Sequence, residues 1–158
     1  MSGIELDDRG VIVPCPHCGK RNRLTFERLA QPARCGQCKS EIGSPSAPIE
    51  VRTSGEFDRL LSASPVPVVV DYWAPWCGPC HMVAPEVAKV AARLAGRALV
   101  VKVNTDELAD LGQRFGIKSF PTLAVFSNGR ELVRTTGARP AHEIEAFVEQ
   151  AARSASSR

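Results

Sequence analysis

All six cysteines of this 158-residue chain fall into three CxxC pairs, Cys15/Cys18, Cys35/Cys38 and Cys77/Cys80. Sulfur at i and i+3 supports two chemistries: a disulfide that opens and closes at a helix start, and one half of a tetrahedral metal site. Context separates the pairs. Cys77 and Cys80 end the stretch DYWAPWCGPC, which follows an apolar run and precedes a long amphipathic pattern. At such a helix start the free N–H groups and the dipole favour a thiolate, which exchanges disulfides through a mixed intermediate. The order of the pair predicts Cys77 as an exposed nucleophile and Cys80, one turn further in, as the thiol that resolves the mixed disulfide. Gly78 and Pro79 shape the turn between them. Asp71 lies inside the apolar run, where burial raises a carboxyl pKa and suits it to take the proton from Cys80; a structural hydrogen-bonding carboxyl is the other reading. Trp73 reads as core and Trp76 as a flat surface beside the sulfur. His81 either favours a nearby thiolate or simply faces solvent.

CPHC and CGQC stand sixteen residues apart. Each CxxC turn points two sulfurs inward, and the loop lets the turns meet, so Cys15, Cys18, Cys35 and Cys38 read as ligands of one Zn²⁺. Four thiolates leave no position for water, which makes the metal structural. Two disulfides or a second redox centre are the alternatives, and neither pair has a strand–helix frame like that around Cys77. The region through Ile42 has few apolar residues and needs such a staple to fold. His17 is expected to face solvent.

The elements that position these residues follow from pattern. GSPSAP marks an irregular connection, which divides the chain into a zinc ribbon-like domain at 1–42, a linker at 43–48 and a second domain at 49–153. The second domain reads as a strand near 49–52, a helix over 56–62 with Thr53 and Glu56 as a capping box, and a buried strand over 66–74. A helix then starts at Pro79, is kinked at Pro85 and runs toward Gly96. A strand over 98–104 and a helix over 107–115 follow. Strands at 122–126 and 131–136 join through Asn128-Gly129 as a hairpin, and a helix from Pro140 to about Ala152 closes the chain before a frayed tail at 154–158. The order β-α-β-α-β-α-β-β-α is α/β and requires a mixed sheet with helices on both faces.

Composition excludes other classes. Hydrophobic residues make up 44% and charged residues 23%, with a mean hydropathy of −0.10, which fits neither a disordered chain nor a membrane protein. The start MSGIELDDRG lacks a basic region followed by an apolar core, so a cytoplasmic protein is expected. The net charge of +3 gives no support to nucleic-acid binding, and a monomer is expected because no coiled-coil pattern appears.

Residues 49–152 resemble the thioredoxin family, whose WCGPC pattern stands here as Trp76 to Cys80. Asp71 matches the family's buried carboxylate and Lys102 the lysine near it, with a role in tuning Asp71. Pro121 matches the cis-proline facing the two sulfurs, Gly129 a turn glycine and Gly137 the glycine lining the substrate groove. The resemblance implies a thioredoxin fold, with Trp76, Gly78, Pro79, Phe120, Pro121 and Gly137 meeting the substrate. Tyr72, Phe120 and His81 depart mildly from the family pattern. With its amino-terminal cysteines the whole chain resembles the thioredoxin 2 type, a cytosolic thioredoxin with an added zinc domain. That implies general protein-disulfide reduction, with disulfide-containing proteins as substrates and recycling by thioredoxin reductase. NADPH and FAD then belong to the reductase, since this chain carries no nucleotide-binding fingerprint. A disulfide isomerase or oxidase, and a zinc-regulated, redox-sensitive chaperone or binding module, are the other readings.

Overall fold

The computed structural model of the chain describes residues 3–156. Two small ribbons come first. Strands β1 (Glu5–Leu6), β2 (Gly10–Pro14) and β3 (Arg21–Thr25) form an antiparallel sheet in the order β1-β2-β3, and β4 (Ala33–Arg34) pairs with β5 (Glu41–Ile42). A 3-10 turn at Phe26–Arg28 links them. These elements repeat one device twice. Cys15 N–H donates to the Lys20 carbonyl and Gly19 N–H to the Cys15 carbonyl; twenty residues later Cys35 N–H donates to Ser40 and Lys39 N–H to Cys35. Gly19 and Lys39 both have positive φ, 80° and 66°, which turns each chain back after its second cysteine.

The scarcity of apolar residues before Ile42 led to the expectation of a region without much core. The structure differs because these residues share a core instead of building one. Leu6, Val11, Phe26, Leu29 and Ile42 are buried in one cluster with Ile49, Phe57, Leu60 and Val101 of the second region. Each buried side chain of this size is worth about 1.5–3 kcal/mol, so the ribbons are held by packing as well as by their cysteines. Glu5 adds ion pairs to Arg21 at 3.0 Å and Arg52 at 3.1 Å. Residues 43–48 are irregular, as their Gly, Pro and Ser content requires.

From there the expected element order is realised. Strand β6 (Ile49–Glu50) is shorter than expected and leads to α1 (Ser54–Ala63), whose cap Thr53 accepts from Glu56 N–H at 3.1 Å. Strand β7 (Val68–Trp73), α2 (Gly78–Arg93), β8 (Leu99–Asn104), α3 (Ala109–Arg114), β9 (Thr122–Ser127), β10 (Arg130–Thr136) and α4 (Ala141–Ser156) follow. The sheet order is β10-β9-β7-β8-β6, with β7 parallel to β8, β8 parallel to β6, and β9 antiparallel to both β7 and β10. Alternation along β7 sorts the layers: Val68, Val70 and Tyr72 face Phe57, Leu60 and Leu111 of α1 and α3, while Val69 faces Val83 and Val87 of α2 and Ile144 and Val148 of α4. Asn128 and Gly129, with φ of 53° and 79°, make the hairpin turn that Asn-Gly signals.

Further details of the helices have local causes. Helix α3 starts late because the Asn104 side chain accepts from Asp106 N–H and Glu107 N–H, making a turn where helix was expected. Helix α2 runs unbroken through Pro85, which removes the N–H that would reach the His81 carbonyl. The tail expected at 154–158 is helical through Ser156, extending α4 beyond its buried Ala151; residues 157 and 158 lie outside the described residues.

Candidate functional site

The Cys77–Cys80 pair stands where β7 hands over to α2. Ala74 accepts from Cys77 N–H at 3.1 Å, which closes the loop, and Cys77 becomes the cap of α2 with Pro79 in its first turn. The two cysteines form a disulfide with Cα atoms 5.3 Å apart. Cys80 N–H points at the Cys77 sulfur at 3.1 Å, so the first helical N–H groups that favour a thiolate are aimed at the outer sulfur. Cys77 is not exposed as expected. It is 4% accessible, the same as Cys80, because Ala74, Trp73 and Phe120 pack around the closed pair.

The surroundings are an apolar platform with one open side. Trp76 is 67% exposed, its ring meets Phe120 edge-on at 5.4 Å, and its indole N–H donates to Asp106 at 3.3 Å. The Phe120–Pro121 peptide is cis, Pro121 is buried, and its carbonyl accepts from Gly137 N–H at 2.9 Å. Gly137 has φ of 93°, which disfavours any side chain, and a Cβ there or at Gly78 would meet nothing within 4 Å. Gly78 and Pro79 are exposed beside the sulfurs. The His81 ring nitrogen Nε2 lies 2.7 Å from the Pro75 carbonyl, tying α2 to the loop before Cys77.

Asp71 is 1% exposed, and neither of its carboxylate oxygens has a hydrogen-bond partner. Burial pushes its carboxyl up to about 7; the Lys102 charge opposes this and the Glu50 charge adds to it. The register explains both influences. Lys102 stands opposite Asp71 across β7–β8 and opposite Glu50 across β8–β6, so two carboxylates flank one ammonium. Lys102 leans outward, with Nζ 4.0 Å from Glu50 and 4.7 Å over the Trp73 ring. Glu50 and Asp106 are neighbours of the site that the sequence reading passed over. Glu50 was legible only through strand register, and Asp106 only through the Asn104 turn.

The second cysteine group lies wholly in the amino-terminal ribbons. Sulfurs of Cys15, Cys18, Cys35 and Cys38 all lie within 4.8 Å of one another, with Cys15–Cys38 at 3.7 Å and Cys18–Cys35 at 3.6 Å. A tetrahedron of thiolates at 2.3 Å from Zn²⁺ has edges of about 3.8 Å, so the donor set fits that ion. Backbone N–H groups support the charge: His17 and Cys18 donate to Cys15, and Gln37 donates to Cys35, as does the Asn22 side chain. Hydrogen bonds from Cys38 N–H, Gln37 N–H and Asn22 bring the Cys35 thiol down to about 6, which favours the ligating thiolate. His17 is exposed, as expected.

Comparison with known proteins agrees with both sites. The thioredoxin family model matches residues 48–150, and the model described as "Thioredoxin 2, N-terminal", a zinc ribbon, matches residues 14–40. Thioredoxin C-3 of Corynebacterium nephridii is 36% identical over 140 residues, covering 89% of this chain and 94% of that protein. Thioredoxin 1 of a Nostoc species is 44% identical over 98 residues, 62% of this chain and 92% of its own. The solved structure of a mutant thioredoxin from Halobacterium salinarum superposes with a TM-score of 0.64 at 30% identity, covering 70% of this chain and 96% of that one. No helix among the described residues is long and apolar enough to cross a membrane.

Proposed function

The chain belongs to the thioredoxin family, and from that premise we propose that it is a general protein-disulfide reductase recycled by thioredoxin reductase. Its chemistry is thioredoxin-type dithiol/disulfide exchange, and it is a protein-disulfide oxidoreductase. The observation that carries the residue roles is the Cys77–Cys80 pair at the head of α2 on the sheet face where Asp71 lies buried and unpartnered.

In the reduced protein the Cys77 thiolate, favoured by Cys80 N–H and the dipole of α2, attacks one sulfur of a target disulfide. A mixed disulfide forms and the other target sulfur leaves as a thiolate. Asp71 takes the proton of Cys80, whose sulfur then attacks Cys77 and releases the second target sulfur. The target gains two electrons, its two thiolates take up the proton held by Asp71 and one from solvent, and the enzyme ends with the Cys77–Cys80 disulfide. Lys102 tunes Asp71. Trp76, Gly78, Pro79, Phe120, Pro121 and Gly137 form the substrate platform, on which an extended segment pairs with main chain and so tolerates many sequences. Thioredoxin reductase returns the electrons from NADPH through its own FAD.

Cys15, Cys18, Cys35 and Cys38 hold Zn²⁺ as a closed structural site. Thiolate ligands persist in a reducing cytoplasm, which suits both centres. The domain division remains 1–42, 43–48 and 49–153. A Cys80→Ser variant tests the exchange order: it accumulates a mixed disulfide with a reporter substrate through Cys77, and release of free substrate at the wild-type rate contradicts the assignment.

A further inference from the structure

A groove of about 700 Å³ runs between the two amino-terminal ribbons, away from the redox pair. One bank is formed by four consecutive residues, 22–25, and the other by 32–34, with Arg28 and Glu41 completing the lining. Side chains of a strand alternate between faces, so a groove touched by four residues in a row is touched along the strand's edge. That edge is open: β3 is the outer strand of its sheet and pairs only with β2. The ladder bonds fall at Cys15/Lys20 and Phe26/Arg9, and the alternation between them turns the N–H and C=O groups of residues 22 and 24 toward β2. The main-chain groups of Arg23 therefore point into the groove.

The charge in the groove is positive. Arg23 is held by Asp7 at 2.7 Å, and Arg34 donates to the Lys39 carbonyl while standing opposite Glu41 across β4–β5. Arg28 is exposed; its carbonyl accepts from Gln31 N–H, while its guanidinium makes no hydrogen bond or ion pair among the described residues. We propose that this groove is a docking site for an extended acidic protein segment, which adds as a strand to the open edge of β3 and sets a carboxylate against Arg28. A polypeptide fits better than a nucleic acid, because the groove offers a main-chain edge and none of the aromatic faces on which bases stack. Exposed sheet edges are otherwise a liability, and the arginines keep this one from accepting neutral strands.

The test uses the full zinc-loaded chain and a fluorescent peptide of alternating glutamate and valine, followed by anisotropy. Saturable binding is expected, with amide shifts at Arg23 and Thr25 in NMR spectra. Arg28→Glu should weaken it by about tenfold or more, the size of one charge-assisted contact. The same peptide N-methylated at alternate residues should lose binding. Insulin reduction by the Arg28→Glu variant should match wild type, and retained zinc reports that the ribbons are folded. No saturable binding, equal binding by Arg28→Glu or by the N-methylated peptide, or tighter binding of an oligothymidylate in the same groove overturns the proposal.

Discussion

At the residue scale the proposed mechanism turns on one carboxyl. Asp71 exchanges its proton at about 7, far above its ordinary value near 3.8, because burial leaves its oxygens without partners. The folded state therefore binds this proton more tightly than the unfolded chain does. Stability contributed by the neutral carboxyl is fully present below about pH 4 and is lost as pH rises through about 7. Asp71→Asn should thus be more stable than wild type at pH 8 by up to about 4 kcal/mol, with the gap closing toward pH 4; urea midpoints across this range check the sign. The same variant should slow resolution of a trapped mixed disulfide, and in wild type that step should slow as pH falls below about 7. An unchanged pH profile in Asp71→Asn contradicts the proton-acceptor role. The burial of Asp71 was legible in the sequence because it stands inside the apolar run VPVVVDYWA. The burial of Cys77 was not, because Phe120, which helps cover it, comes from a segment forty-three residues on.

At the element scale the controlling feature is strand register. The pairing of β6, β8 and β7 sets Glu50, Lys102 and Asp71 in one row, and Lys102 closes on Glu50, not on Asp71. Glu50→Gln should free the ammonium and remove a repelling charge, lowering the Asp71 midpoint in carboxyl NMR titrations; since the Glu50 side chain is 49% exposed, the shift should shrink with added salt. A midpoint that stays fixed contradicts the competition for Lys102. Strands and helices of the second region were legible from period and turn residues, since β7 and β8 are apolar runs and Asn128-Gly129 names its own turn. Glu50 was not legible as a neighbour of the site, because a single sequence does not state which strands pair in which register. The late start of α3 escaped for a similar reason: one asparagine side chain satisfies two N–H groups and outweighs helix propensity.

At the scale of the whole molecule Cys15 and Cys35 sit in a hydrophobic cluster that spans the amino-terminal ribbons and the second region, while Cys77 and Cys80 sit in a small cluster of their own. Phe26 and Leu29 pack with Phe57 and Leu60, so the amino-terminal ribbons and the thioredoxin fold stabilise each other. Removing zinc with a chelator should raise hydrogen exchange in residues 10–42 first and then on α1, while β7 and β8 stay protected. Equal loss of protection throughout the sheet contradicts this order. The meeting of the four amino-terminal cysteines was legible from spacing alone, whereas the shared core was not: Leu6, Val11, Phe26 and Leu29 are too few to signal a core and become one only against α1. The account as a whole stands on division of labour among the cysteine pairs. The most direct measurement follows NADPH-driven insulin reduction with thioredoxin reductase while bound zinc is quantified in the same sample. The account predicts rapid turnover that vanishes in Cys77→Ser with about one zinc per chain retained. No turnover by the zinc-loaded wild type, or turnover that survives Cys77→Ser, contradicts it.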